Sequence, residues 1–553
     1  MLVGNFIIVA LNFLIKVVHS QLGPIVTIED GKLQGTVHRS IGTEALYYAY
    51  RGIPYAKPPL GNLRFKSPLK NDQWIGVLNA TQDKDQCVQT SGILGLTISG
   101  SEDCLYLNVY TPNVNGNFSV MVWIFGGGFT IGDASYNSYA PDFLLNRNLV
   151  FVSLNYRLGV LGFLSTNDLN CPGNWGIKDQ VMALRWIKRN IQAFGGNPEK
   201  VTIVGQSAGS ASVSYILQSK KTEGLYSGAI MQSGTSLCTW SLTRNAREFA
   251  FTLGARLGIF TADSKHLIHE LRTVDVRRLK RAENDVYYVA IAVENIFTGL
   301  PLGPVIEPEH DEAIITGKSH DLLQNGNFNK VPVIVGLNSN EAKSFLGLFI
   351  DILKPLFTRY DLNLARLAPY DLTRNTTKRL LAGNEVKTHW FGHEPIATYP
   401  SANIIQFISD EHFNRPIRET VNQMSKYSDV FYYEFGYRGS LGEFENSFSG
   451  VGHFEEIFYI FANKANANDD DKLIRTKILD LWTNFIKFGK PTPMPMDSIA
   501  WEPISYKTRN NEEDVKYLSI DKSLMLKENP NQNDWEFYKN LYKKYGDPPF
   551  STY

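Results

Sequence analysis

Ser207 stands in Gly205-Gln206-Ser207-Ala208-Gly209, between the apolar run Val201-Thr202-Ile203-Val204 and a helix-like stretch from Ser210 to Ser219. Strand, sharp turn with a serine at its tip, then helix is the setting that presents a serine hydroxyl as a nucleophile. Gly205 and Gly209 let the following helix pack close to the strand. The pentapeptide alone is a weak signal, because roughly 0.2 such matches arise by chance from the Gly and Ser content. The competing reading is an ordinary helix start built from small residues.

A serine hydroxyl attacks a carbonyl at neutral pH only with a base beside it and an acid orienting that base. Where these groups sit at the ends of successive strands, the chain order is serine, acid, histidine. Glu341 follows the run Val331–Val335 through Gly336-Leu337-Asn338-Ser339-Asn340; taken alone it would read as an exposed loop carboxylate. His453 lies in Gly450-Val451-Gly452-His453-Phe454, a glycine-rich loop after the run Val430–Phe435. His389 and His393 form an H-x-x-x-H pair, but Gly392 intervenes and no third metal ligand is evident. The anion that forms when a carbonyl is attacked needs backbone N–H donors. Phe125-Gly126-Gly127-Gly128-Phe129 follows the run Val120–Ile124, and Gly127, Gly128 and Ala208 are the candidate donors. No metal or cofactor is required by this chemistry.

The elements that must position these residues follow from periodicity. The first hundred residues after the N-terminal segment read as hairpins at Ile25–Glu29, Gln34–Val37 and Ala45–Arg51. Val120–Phe125, Leu149–Leu154, Val201–Val204, Gly228–Gln232, Val331–Val335 and Val430–Phe435 are short continuous apolar runs, the pattern of strands buried on both faces. Asp179–Phe194 carries an apolar stripe at Val181, Leu184, Ile187 and Ile191, which predicts a helix. The alternation predicts an α/β fold: a mostly parallel central sheet with helices on both faces and an antiparallel N-terminal edge. Residues 241–330 and 345–425 are helix-rich and aromatic, and read as insertions capping one end of the sheet. One domain over residues 21–553 is expected.

The 553 residues carry 55 basic and 55 acidic side chains. A balanced chain has no global field for nucleic acid or an anionic membrane surface. Residues 2–18 are apolar but broken by Asn5, Asn12 and Lys16, and Val18-His19-Ser20 precedes Gln21 like a small-residue cleavage site, so residues 1–20 read as a secretory signal peptide. Four cysteines fit an oxidising compartment. Cys171 and Cys238 are open to either a bridge or two buried thiols. Sequons begin at Asn79, Asn117 and Asn375, the expected glycosylation sites of a secreted chain.

Further stretches join the pentapeptide: Tyr50-Arg51-Gly52-Ile53-Pro54-Tyr55-Ala56, Ser101-Glu102-Asp103-Cys104-Leu105-Tyr106-Leu107-Asn108-Val109-Tyr110, Asn155-Tyr156-Arg157-Leu158-Gly159, Pro172-Gly173-Asn174-Trp175-Gly176 and Gln232-Ser233-Gly234. With them the chain resembles type-B carboxylesterases, the family that includes cholinesterases, over essentially its whole length after the signal segment. The resemblance implies the α/β-hydrolase fold and Ser207, Glu341 and His453 as a catalytic triad. It also implies a Cys87–Cys104 disulfide, the ion pairs Arg64–Glu102 and Arg157–Asp179, and Ser233 in a supporting position near the acid. Two departures bear on substrate. Leu94 stands where cholinesterases carry the tryptophan that binds choline, and Gln206 stands where many members have glutamate. Gln206, with Cys171 ahead of Pro172, is similar to insect esterases, including juvenile hormone esterases. Phe125, Phe129 and Trp240 are expected to give the site apolar walls.

The resulting expectation is a secreted serine esterase acting on small, neutral, lipophilic esters. A juvenile hormone esterase is the alternative within the class. A catalytically silent, adhesion-like relative is the alternative outside it.

Overall fold

The computed structural model describes residues 21–91, 97–293, 299–347, 350–442, 448–462, 467–504 and 514–548. The expected signal segment 1–20 and Leu94 lie outside these residues. Twelve strands form the main path of the sheet. In chain order they are β1 (Leu22–Ile28), β2 (Gly31–Arg39), β3 (Leu46–Pro54), β4 (Tyr106–Thr111), β5 (Phe118–Ile124), β6 (Val150–Leu154), β7 (Gly196–Gln206), β8 (Gly228–Gln232), β9 (Val333–Asn338), β10 (Val430–Phe435), β11 (Lys516–Ile520) and β12 (Leu524–Glu528). Their spatial order is β1-β2-β3-β4-β6-β5-β7-β8-β9-β10-β11-β12. From β6 to β11 all pairs are parallel, and β1 to β4 form an antiparallel edge. A second antiparallel edge, the hairpin β11–β12, closes the other side. The sequence reading did not anticipate that hairpin.

Every residue of β6, β8 and β9 is buried. Only cover on both faces of the sheet does this, and it explains why these strands read as unbroken apolar runs. The helices that pack against the parallel strands include α1 (Trp175–Asn190), α2 (Ala208–Leu217), α5 (Arg415–Met424) and α6 (Asp469–Phe488). Between α1 and α5 lie α3 (Val276–Val293) and α4 (Ser401–Ser409). The apolar stripe of α1 faces inward at Val181, Leu184 and Ile187, and a short 3-10 turn over Ile191–Phe194 completes the predicted segment.

Two ion pairs buried in this core are forked. Arg157 Nε and Nη2 donate to the two carboxylate oxygens of Asp179 at 2.8 and 2.7 Å, and the Arg157 N–H adds a third bond at 3.0 Å. Arg64 makes the same fork to Glu102, at 2.7 and 2.6 Å. Cys87 and Cys104 form a disulfide, with Cα atoms 5.0 Å apart. Cys171 and Cys238 are buried free thiols, both pushed up to about 12 by burial. Asn79, Asn117 and Asn375 are exposed.

The turn from β7 into α2 is the tightest constraint on the sequence. Ser207 has φ 57° and ψ −124°, a region that side chains rarely enter. A Cβ on Gly205 would lie 2.3 Å from the Gly209 carbonyl oxygen, and one on Gly209 would lie 2.0 Å from that of Ile124. No larger residue fits at either position.

Asp179→Asn leaves the Arg157 guanidinium buried without its counter-charge. It is expected to remove about 3–5 kcal/mol of stability, read as a fall in the denaturant midpoint. Ser207→Gly releases the backbone strain. Its melting temperature should rise by an amount equivalent to about 1–3 kcal/mol, whereas Ser207→Ala, strained like the serine, should stay near wild type.

Candidate active site

The ends of four adjacent strands supply the site. β7 ends at Gln206, so the turn lifts Ser207 above the sheet, and its N–H donates to the Gln232 carbonyl at the end of β8 (2.8 Å). One strand further, the Ser233 N–H donates to Gly336 of β9 (2.8 Å). Beyond β9 the chain turns back, so that the Asn338 N–H donates to Glu341 Oε1 at 2.7 Å. The His453 loop follows β10 and is fixed to the Glu341 turn by backbone bonds. The Asn340 N–H donates to Val451 O (2.8 Å) and the His453 N–H to Glu341 O (3.0 Å).

These anchors bring three side chains into line. Glu341, fully buried, lies 2.6 Å from His453 Nδ1 through Oε2, and His453 Nε2 lies 2.7 Å from Ser207 Oγ. A carboxylate only accepts, so Nδ1 carries the proton and Nε2 is left as the acceptor facing the serine hydroxyl. Gln206 Nε2 is a second neighbour of the same Nε2, at 3.3 Å. The glycine loop after β5 lies directly against the serine: a Cβ on Gly126 would sit 2.7 Å from Ser207 Cβ. Gly127 and Gly128 have φ 119° and 58°. Their N–H groups donate to no acceptor among the described residues. The Ala208 N–H belongs to the first turn of α2, where helix N–H groups have no partner in their own helix.

Aromatic rings enclose the imidazole. Phe413 is tilted over His453 with ring centroids 4.9 Å apart, and Phe345 stands edge-on at 6.1 Å. Phe413 also meets Trp240 at 5.8 Å, and Trp240 meets Phe129 at 6.5 Å. Phe413 reaches this place from a single π-helical turn, Asp410–Asn414, inserted between α4 and α5. The extra residue per turn re-aims the side chain, and Trp240 Nε1 secures the bulge by donating to His412 O at 3.0 Å. Sequence reasoning missed Phe413 and Phe345, since nothing in the helical pattern around residue 410 marks a π turn. Phe125 departs from the sequence expectation. It is buried and stacked on Tyr156 at 4.4 Å, beneath the glycine loop and not on a wall of the site. Phe129 is likewise buried and supports Trp240 from behind.

A cavity of about 520 Å³ opens beside Gln206 and Gly127, with Tyr139, Tyr287, Tyr288 and Phe454 on its sides. Glu283 of α3 is the acidic side chain of its described lining. Its charge is taken by Lys280 at 2.6 Å and by the Val160 N–H. Ser233 has φ 56°, and its buried hydroxyl makes no hydrogen bond among the described residues, Glu341 included. His389 bonds Asp534 at 2.7 Å and stacks on Phe537 at 4.0 Å. A second buried carboxylate, Glu456, lies close to the Glu341–His453 pair. Burial and the Glu341 charge push it up to about 7, against hydrogen bonding from Asn338 and the pull of His453. No motif marks it, although it follows His453 by three residues as Asn338 precedes Glu341 by three.

Comparison with known proteins bears on the arrangement as a whole. Residues 23–538 match the model of the carboxylesterase family. The chain is 34% identical to venom carboxylesterase-6 of Apis mellifera, over 98% of both chains. It is 32% identical to a juvenile hormone esterase of Tribolium castaneum, over 87% of this chain and 86% of the relative. Among solved structures, juvenile hormone esterase from Manduca sexta, with OTFP covalently attached, superposes with a TM-score of 0.82 at 26% identity, covering 94% of this chain and 99% of that one. An α/β-hydrolase sheet and relatives of this kind along nearly all of its length lead to one conclusion: the chain belongs to the carboxylesterase family and is a carboxylic ester hydrolase.

Proposed function

We propose that the protein is a secreted serine esterase that cleaves neutral, lipophilic carboxylic esters through an acyl-enzyme on Ser207. The unbroken chain from Glu341 Oε2 through His453 to Ser207 Oγ, with links of 2.6 and 2.7 Å, is the observation that carries this reading. Ser207 Oγ attacks the ester carbonyl carbon as His453 Nε2 takes the hydroxyl proton. The carbonyl oxygen becomes an anion and turns towards the N–H groups of Gly127, Gly128 and Ala208. The intermediate collapses, the C–O bond to the alcohol breaks, and His453 returns the proton to the departing alkoxide. Water then attacks the acyl carbon with His453 again as base, releasing the carboxylic acid and restoring Ser207. Glu341 keeps the imidazole in the required tautomer and balances its charge while it is protonated.

The substrate class follows from the walls. Trp240 and Phe413 offer an apolar face on one side of His453, and the 520 Å³ cavity on the Gln206 side has its carboxylate neutralised by Lys280. Gln206 brings no charge next to the serine. Tyrosine faces line this cavity, but without an unpaired anion they bind a quaternary ammonium only by the weaker cation–π attraction. Secretion is supported by the N-terminal apolar segment, by the disulfide and by the venom and hormone esterases among the relatives. Those hormone esterases also keep juvenile hormone as a second candidate substrate. One hydrolase domain from residue 21 onward is part of the same proposal. The adhesion-like alternative would have no use for this hydrogen-bonded chain of side chains.

Ser207→Ala is expected to lower turnover by a factor on the order of 10⁶, with His453→Ala nearly as severe and Glu341→Gln less so. An organophosphate should add its phosphoryl mass to the peptide containing Ser207. A label found elsewhere, with Ser207→Ala still active, would refute the nucleophile. For substrate class, an uncharged thioester should exceed the choline thioester of the same acyl group in kcat/KM. A clear preference for the choline compound would overturn the reading of the walls, and a panel that includes juvenile hormone separates the two neutral candidates.

A further inference from the structure

Glu456 has no place in the mechanism above, yet it is 2% exposed and lies where the supports of all three triad residues converge. Gln232 holds the nucleophile through its carbonyl, which accepts the Ser207 N–H, and its side-chain Nε2 donates to Glu456 Oε1 at 3.1 Å. Asn338 holds the acid through its N–H on Glu341. Its side-chain Nδ2 donates to Glu456 Oε2 at 2.5 Å and to the Gly452 carbonyl, next to His453, at 2.7 Å. Two amides, each touching a different part of the triad, thus share one carboxylate. We propose that Glu456 is a positioning residue for the ester hydrolysis, and that its ionised form holds Ser207, Glu341 and His453 in register while its protonated form releases them.

The inference rests on the triad reading and follows from the donors on the page. As a carboxylate, Glu456 accepts from both amides, one N–H on each oxygen. Once protonated, one oxygen carries a hydrogen that faces an N–H donor. Asn338 Oδ1 is buried and has no partner among the described residues, so turning that amide would offer the new proton an acceptor. The same turn takes Nδ2 away from the Gly452 carbonyl and frees the backbone beside His453. Gln232 cannot make the turn as readily, because its Oε1 already accepts Trp482 Nε1 at 3.2 Å. The titratable groups facing Glu456 are Glu341 after β9, His453 on the same loop and Tyr433 of β10. The Glu341 charge and burial favour the proton, whereas Asn338 and His453 oppose it, which brings the change into the neutral range.

The test is the pH dependence of kcat/KM on a neutral ester for wild type, Glu456→Gln and Glu456→Asp, with folding checked by near-ultraviolet circular dichroism. Wild type should lose activity on the acid side by uptake of one proton more than the Glu456→Gln enzyme, the extra proton being the one on Glu456. Glu456→Gln should lose it by one proton, with kcat above neutrality reduced on the order of tenfold to a hundredfold and KM little changed. Glu456→Asp should restore the two-proton limb. Should Glu456→Gln fail to fold, Asn338→Ser removes the shared amide while keeping both carboxylates, and the one-proton limb is expected there. A Glu456→Gln enzyme with lower kcat but the wild-type pH profile would show mere packing and overturn the proposal, as would unchanged kcat. Inactive Ser207→Ala in the same assay separates that failure from failure of the triad; active Ser207→Ala would overturn both.

Discussion

A serine held at φ 57° between a strand and a helix exists only where no side chain stands in its way. The rest of the site is arranged around that exclusion. Gly205 and Gly209 clear the space inside the turn, and Gly126 clears it from the neighbouring loop, where a Cβ would meet the Gln206 oxygens and Ser207 Cβ within 2.7 Å. The strained serine cannot relax, because its N–H is tied to β8 and the following helix is packed against the parallel sheet. The large buried core therefore does more than hold the chain together. It keeps a local conformation that a short peptide would abandon, at a cost of about 1–3 kcal/mol.

Polarity is distributed by the same logic. Ion pairs deep in the fold, such as Arg157 with Asp179, are forked, so they fix geometry without offering a reactive group. Around His453 the surroundings change to rings: Phe413, Phe345 and Phe454. Apolar walls lower the local dielectric, so the few polar contacts that remain there count for more than they would in water. The π turn that delivers Phe413 is the geometric means to this, since a regular helix over Asp410–Asn414 would direct that ring elsewhere.

How much of this could be read from residues alone depended on whether the signal was local. The sheet was legible because strands buried on both faces leave unbroken apolar runs, and β6, β8 and β9 are buried at every position. The turn at Ser207 was legible because its glycines are demanded by backbone contacts within a few residues. The β11–β12 hairpin was not, because an edge strand exposed along most of β12 has no such run. Phe125 was misread because a ring beside a glycine loop can face either way, and only the tertiary partner Tyr156 decides which. Phe413 and Glu456 lay beyond reach for a related reason: each acts through partners more than a hundred residues away, Trp240 for one and Gln232 for the other.

The two buried thiols have a consequence for how the chain matures. Four cysteines allow three ways of making two bridges, all of them open to an unfolded chain under oxidising conditions. Closing the loop from Cys87 to Cys104, 17 residues apart, costs less chain entropy than closing any longer one. Cys171 and Cys238 are then enclosed by the core with their thiolates strongly disfavoured, and a thiol that cannot ionise cannot attack a disulfide. Folding itself thus ends disulfide exchange, and the native protein carries its reshuffling partners out of reach of both oxidants and one another.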